Sequence, residues 1–94
     1  MLYPVAIEVG NDDYAFGAVV PDLKGCFSAG DSYEEALSNV VEAIGGHLEL
    51  MAEEGQLPPQ PSAIADLIAT SEFSGWIWAL VDVDNSKSFS GVLI

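Results

Sequence analysis

Positively charged residues are scarce in this sequence. Its 94 residues include no arginine and only two lysines, Lys24 and Lys87, against fifteen acidic residues, so the formal net charge is -13 at pH 7. A chain of this sign repels nucleic-acid phosphate and anionic membranes. It attracts basic surfaces. The composition therefore predicts no direct binding to nucleic acid or membrane, and it favours a basic protein as partner.

Cysteine, histidine and long apolar runs are also scarce. Cys26 is the only cysteine, so the chain cannot form an internal disulfide, and His47 is the only histidine, so no zinc-type spacing exists. The N-terminal residues lack the basic start and small-residue cleavage site of a signal peptide, and every apolar run is short. No glycine-rich phosphate loop is present. We expect a cytoplasmic protein without metal or cofactor.

Half of the residues are hydrophobic, which predicts one folded domain at this length. Apolar and other side chains alternate over residues 3–9 and again over residues 14–20, which is the strand period. The intervening "GNDD" predicts a hairpin turn. "CFSAG", residues 26–30, predicts a short third strand. "WIWALVDVD", residues 76–84, predicts a further strand, and its two apolar faces indicate a strand that is central in the sheet or covered on both sides.

A long helix is predicted between the third and the last of these strands. Ser32 and Glu35 fit a capping box, apolar residues then recur on one helical face, and Gly55 ends the pattern. Ser62 is the predicted cap of a short helix over residues 63–69. The resulting α+β fold has the order β-β-β-α-α-β, with three antiparallel strands first and helix packed on one face of the sheet. Residues 85–94 have no clear period.

Two kinds of site remain possible from the residues alone. Glu8, Glu42 and Asp82 could converge to hold two Mg²⁺ ions, as in a metal-dependent nuclease of the ribonuclease H-like kind. Such an enzyme needs basic residues to hold its substrate, and this chain has two lysines. We therefore expect no enzymatic activity and keep the nuclease as the alternative.

The other candidate is a protein-docking surface in the turns and at the start of the long helix. The aromatic residues Tyr14, Phe16 and Phe27 lie near these acids in sequence. Acidic residues around aromatic anchors suit a basic protein surface, although solvated turns around a core of aromatic residues explain each residue singly. Trp76 and Trp78 are a candidate oligomer contact, with burial in the core as the alternative. The predicted docking residues are Asp12, Asp13, Tyr14, Asp22, Asp31, Glu34 and Glu35.

The ordered blocks "YPVAIE", "AFGAVVPDLKGCFSAGDSYEEALSNVVEAI" and "WALVDVD" together resemble the HicB-like antitoxin domain. The similarity covers nearly everything from Tyr3 to Asp84, and the strand ending in "PD", the "GCFSAGD" turn and the capped "EEAL" helix are its most specific part. Lys24 departs from the family pattern, which usually has proline in "PDLPGC". This departure lies in a loop.

The resemblance implies a partial, degenerate ribonuclease H-like fold without nuclease activity. It implies binding to a HicA toxin, a small basic mRNA-cleaving protein, whose active-site face the antitoxin covers. Family members commonly continue into a DNA-binding domain that supports dimers or tetramers. Only ten residues follow Asp84 here, so we expect residues 1–84 to form the antitoxin domain, residues 85–94 to hold no DNA-binding domain, and the chain to form a homo-dimer or higher oligomer.

Overall fold

The computed structural model describes residues 1–83 and the backbone of residues 89–93. Five strands form one sheet in the order β3-β2-β1-β4-β5, and every neighbouring pair is antiparallel. The elements along the chain are β1 (Leu2–Glu8), β2 (Phe16–Val19), β3 (Phe27–Gly30), α1 (Tyr33–Glu53), α2 (Ile64–Ile68), β4 (Ile77–Val83) and β5 (Phe89–Leu93). The predicted α+β fold is confirmed.

The two faces of the sheet differ in what lies against them. On the helix face, alternate residues of β1 pack against α1, and the buried core contains Tyr3, Val5 and Ile7. Val40 and Ile44 of α1 are completely buried against them. The other face carries the intervening residues of each strand. It is covered at β1, where Pro4 and Ala6 are completely buried, and is called the open face below only where it is exposed, on β2 and β3. Burial of one apolar stripe of α1 is what attaches the helix to the sheet.

Both ends of α1 are fixed by hydrogen bonds that the sequence predicted in part. The Ser32 hydroxyl accepts from the Glu35 N–H at 3.1 Å, while Glu35 Oε1 accepts from the Asp31 N–H at 2.9 Å, one residue earlier than a standard capping box. At the other end, Gly55 has φ +74°, which suits glycine, and the Gln56 N–H donates to the Met51 carbonyl at 2.8 Å.

Ser62 does not cap α2, contrary to the prediction. The N-cap is Ala63, which makes no side-chain hydrogen bond. Ser62 instead binds the carboxylate of Asp22, with its N–H donating at 2.8 Å and its hydroxyl at 2.5 Å. Hydrogen bonds to an ionised carboxylate are stronger than a neutral cap bond to a backbone N–H of α2. Ser62 therefore bonds to Asp22 instead of capping the helix.

The sequence pattern missed β5. Residues 85–94 have no strand period, yet Leu80 pairs with Leu93 and Val81 with Val92. The sheet therefore continues past residue 84, and β4 lies between β1 and β5, which confirms its predicted interior position. Asp84, the last residue of the predicted strand, lies outside the described residues. Within the part of the chain that the structure describes, no helix is long and apolar enough to cross a membrane.

Candidate protein-docking site

Six of the seven predicted docking residues lie at one end of the sheet. The β1–β2 hairpin turn carries Asp12, Asp13 and Tyr14, and the β3–α1 junction carries Asp31, Glu34 and Glu35. These two segments meet at the same end because Phe16 at the start of β2 pairs with Gly30 at the end of β3. All six side chains are exposed. They are called the acidic end below.

The hairpin turn is held by Asn11. Its side-chain oxygen accepts from the N–H groups of Asp13 at 2.7 Å and Tyr14 at 2.9 Å, and its own N–H donates to the Tyr14 carbonyl at 2.8 Å. This Asx-type turn satisfies the local backbone without using either aspartate carboxylate. Tyr14 is 73% exposed. The turn therefore presents two carboxylates and one aromatic ring to solvent.

The acids at the β3–α1 junction have a structural use that those of the hairpin lack. Glu34 and Glu35 lie in the first turn of α1, where the helix dipole favours negative charge. Glu35 also accepts from the Asp31 backbone. Asp12 and Asp13 lie in a loop where no described basic group is paired with them. The carboxylates of Asp12 and Asp13 therefore have no evident role in stabilising the fold, unlike those of Glu34 and Glu35.

Asp22 lies apart from the other six predicted residues. It follows β2, at the opposite end of that strand from the hairpin turn. Both of its carboxylate oxygens accept hydrogen bonds from Ser62. Nearby, the Tyr3 hydroxyl donates to the Pro59 carbonyl at 2.6 Å. Burial, and secondarily the charge of Asp22, raises the pKa of Tyr3. Asp22 thus helps to tie the proline-rich connection to the sheet.

The sequence pattern missed two apolar residues at the acidic end. Strand alternation groups Val9 with the core residues of β1, but β1 ends at Glu8 and Val9 is 55% exposed. Ile77 begins β4, pairs with Ile7 and is 41% exposed. These two side chains add apolar surface beside the carboxylates of the acidic end. Periodicity predicts which face a residue occupies, but the exposure of Val9 and Ile77 follows from their positions at the ends of β1 and β4.

The alternative nuclease site is not assembled, and that hypothesis is wrong in its geometry. Glu8 ends β1, whereas Asp82 pairs with Leu2 at the other end of the same strand, which separates them by roughly 20 Å along the sheet. Glu42 is exposed on α1. No group of three His, Cys, Asp or Glu residues that could hold a metal occurs in the described residues. Asp82 instead lies 3.7 Å from the N-terminal amine.

Trp76 and Trp78 have a partner within the chain. Phe73 meets the Trp76 ring at 5.2 Å and the Trp78 ring at 5.6 Å between centroids, both in edge-to-face geometry. Both tryptophans are half-buried. Their use as an oligomer contact stays a prediction.

Cys26 and His47 lie in different surroundings, and neither lies at the acidic end. Cys26 is buried, and desolvation raises the pKa of its thiol, which disfavours a reactive thiolate. His47 is half-buried and lines a 310 Å³ cleft between α1 and the loop after β2, together with Leu23, Leu50 and Met51.

Comparison with known proteins identifies the family. The family model described as HicB-like antitoxin of bacterial toxin-antitoxin systems matches residues 3–91. The chain belongs to the HicB-like antitoxin family. The match extends beyond Asp84 and includes the start of β5.

Individual relatives agree with this assignment. A 14.9 kDa protein of Haemophilus phage HP1 is 45% identical over 84 residues, which are 89% of this chain and 62% of that protein. The crystal structure of antitoxin HicB from Burkholderia pseudomallei is 38% identical with a TM-score of 0.84, and the match covers 93% of this chain and 66% of that one. A chain of the HicA3 and HicB3 toxin-antitoxin complex is 31% identical with a TM-score of 0.70, covering 89% and 99% of the two chains. The chain thus spans less than two thirds of the first two of these proteins.

Proposed function

We propose that this chain is the toxin-binding part of a cytoplasmic antitoxin, which neutralises a small basic HicA-type ribonuclease by covering its active-site face and has no catalytic activity of its own. The family assignment and the existence of a HicA3–HicB3 complex with a similar chain support this proposal.

The observation that carries it is the composition of the acidic end. Asp12 and Asp13 stand beside the exposed ring of Tyr14, and Val9 and Ile77 add exposed aliphatic surface at the same end of the sheet. An aromatic residue surrounded by uncompensated carboxylates fits a cationic protein surface with an apolar centre. The same surface repels RNA, so a toxin covered by it would lose access to its substrate.

The test is binding and inhibition of a HicA-type toxin from the genome that encodes this chain. We expect a stable complex in which ribonuclease activity is suppressed at equimolar antitoxin. Asp12→Lys combined with Asp13→Lys should weaken the complex at least tenfold, because the two changes place cations against a cationic surface. These carboxylates make no hydrogen bond within the described residues, so the fold should be unaffected.

The matched control is Glu49→Lys combined with Glu53→Lys, which alters net charge by the same amount on the exposed side of α1. If both double variants weaken binding equally, only net charge matters and the acidic end is not the docking site. If the wild-type chain neither binds nor inhibits any HicA-type toxin of that genome, the proposed function is wrong.

A further inference from the structure

We infer that the open face of β2 and β3 is a docking shelf for the apolar part of the basic toxin, an inference that rests on the proposed function and locates the surface used. The shelf consists of Gly17, Val19, Phe27 and Ala29. Cross-strand pairing places Val19 beside Phe27 and Gly17 beside Ala29, so all four point to the same side of the sheet.

The shelf is exposed although it is apolar. Phe27 is 68% exposed, and Ala29 is also exposed, while Gly17 and Val19 are half-buried. α1 packs against the other face of these two strands, where Ala18 is completely buried. Phe27 therefore does not contribute to the core, and its ring adds apolar surface to the exposed side of the sheet.

The shelf is flat enough for close approach. A methyl group built on Gly17 would meet only the Glu8 side chain, at 3.9 Å, so the space above this residue is open. Ala29 beside it is also small. Phe27 and Val19 rise on one side of this low area, and Glu8 borders it on the β1 side. A partner could therefore insert a side chain against the backbone of β2, with Phe27 packing against it.

Docking on the face fits this region better than addition of a strand to its edge. β3 is the edge strand of the sheet, and its unpaired backbone groups point outward. The Asn39 side chain donates to the Ala29 carbonyl at 2.9 Å and so occupies part of that edge. Occupied edge groups disfavour pairing with a further strand.

Charge selects the basic toxin over a second copy of this chain. Glu8 borders the shelf, and the acidic end adjoins it at Gly30 and Asp31. Lys24, the lysine within residues 1–83, lies in the loop after β2, at the other end of these strands. Two copies docked here would bring carboxylates against carboxylates, each on a chain of net charge -13. A specific interface buries about 800 Å² per partner, so the shelf and the acidic end would serve as one continuous surface.

The test uses the wild-type chain, Gly17→Val and Phe27→Thr, with titration calorimetry against the HicA-type toxin. Valine favours strand structure and has room at position 17, so Gly17→Val should keep or raise the urea midpoint of unfolding. It should nevertheless weaken toxin binding at least tenfold, because it fills the low part of the shelf. Phe27→Thr should weaken binding to a similar extent. Leu57→Thr, at an 87% exposed leucine away from the shelf, is the control and should bind as wild type.

The outcomes separate the shelf from the proposed function. If wild type binds and Gly17→Val binds equally well, the shelf is not the docking surface, while the proposed function stands. If wild type binds no HicA-type toxin, both fail. If light scattering finds a dimer that Gly17→Val converts to a monomer, the occupant is a second copy and the inference is wrong.

Discussion

At the scale of single residues, Gly30 lies so close to the first turn of α1 that no side chain fits there. A methyl group at this position would collide with the backbone nitrogen of Ala36 and lie 2.8 Å from the carbonyl carbon of Glu35. Backbone atoms cannot rotate away as a side chain can, so the helix start would have to move. The junction that positions Asp31 and Glu34 therefore depends on the absence of a side chain here.

Gly30→Ala should lower the free energy of unfolding by about 1–3 kcal/mol, as overpacking typically does. Gly46→Ala is the opposite control, because position 46 is exposed within α1 and has nothing within 4 Å. Alanine there should stabilise the chain by about 0.5–1 kcal/mol. Urea unfolding followed by circular dichroism measures both, and equal effects of the same sign would contradict the packing argument.

Tyr3 should make the free energy of unfolding decrease with rising pH in the alkaline range. Because burial raises its pKa above the ordinary 10.0, the unfolded state loses this proton at a lower pH than the folded state does. Stability should be independent of this group below about pH 10 and fall as pH rises from there towards the folded-state pKa. Tyr3→Phe should remove this fall.

At pH 7 the same variant should be less stable by about 1 kcal/mol, because the hydrogen bond to Pro59 is lost. The difference between the two chains should therefore shrink above pH 10. The comparison is made in a Cys26→Ala background, since the raised pKa of that buried thiol produces a decline of the same sign. A stability difference that stays constant from pH 7 to pH 11 would contradict the assignment to Tyr3.

At the scale of the elements, the capping of α1 was readable from sequence. Ser32→Ala removes the acceptor for the Glu35 N–H and should cost about 1 kcal/mol of stability. Ser38→Ala changes the same residue type at an exposed position inside the helix, where alanine is favoured, and should be neutral or slightly stabilising. Chemical unfolding of the two variants compares cap and interior, and equal values would mean that the cap bond contributes nothing.

Sequence reasoning found elements whose signal is local. Alternation over β1 and β2, the capping box of α1 and the Gly55 terminus all come from residues a few positions apart. It missed β5, because a strand at the edge is formed by pairing with β4 and needs little periodicity of its own. It also assigned Ser62 to a cap, because a partner 40 residues away in sequence cannot be read from local spacing.

The candidate site divides in the same way. Turn chemistry placed Asp12, Asp13 and Asp31 at exposed positions, and strand pairing then brought the two turns to one end of the sheet. Convergence of Glu8 with Asp82 failed, because both lie on one face but at opposite ends of β1. The face of the sheet that a residue occupies follows from the alternation of side chains along its strand. Its position along the neighbouring strand depends on the pairing register, which the sequence pattern does not give.

At the scale of the whole molecule, net charge should affect both the free chain and the proposed complex. The net charge is -13, and the ion pair found in the described residues joins Asp82 to the chain's own N-terminus. Glu49 and Glu53 also lie in the C-terminal part of α1, where the helix dipole disfavours negative charge. The free chain therefore carries electrostatic repulsion that a basic partner would relieve.

Salt should consequently act with opposite signs on the two states. Raising NaCl from about 0.05 M to 0.5 M shortens the screening length to a few ångströms. It should therefore raise the unfolding temperature of the free chain and weaken the proposed complex with a HicA-type toxin. Glu49→Gln combined with Glu53→Gln should reduce the first effect without altering the second, because these residues lie away from the acidic end. Thermal unfolding and calorimetric titration at the two salt concentrations measure both slopes. If the unfolding temperature of the free chain does not change with salt concentration, its carboxylates do not repel one another measurably. Relief of that repulsion would then contribute nothing to binding.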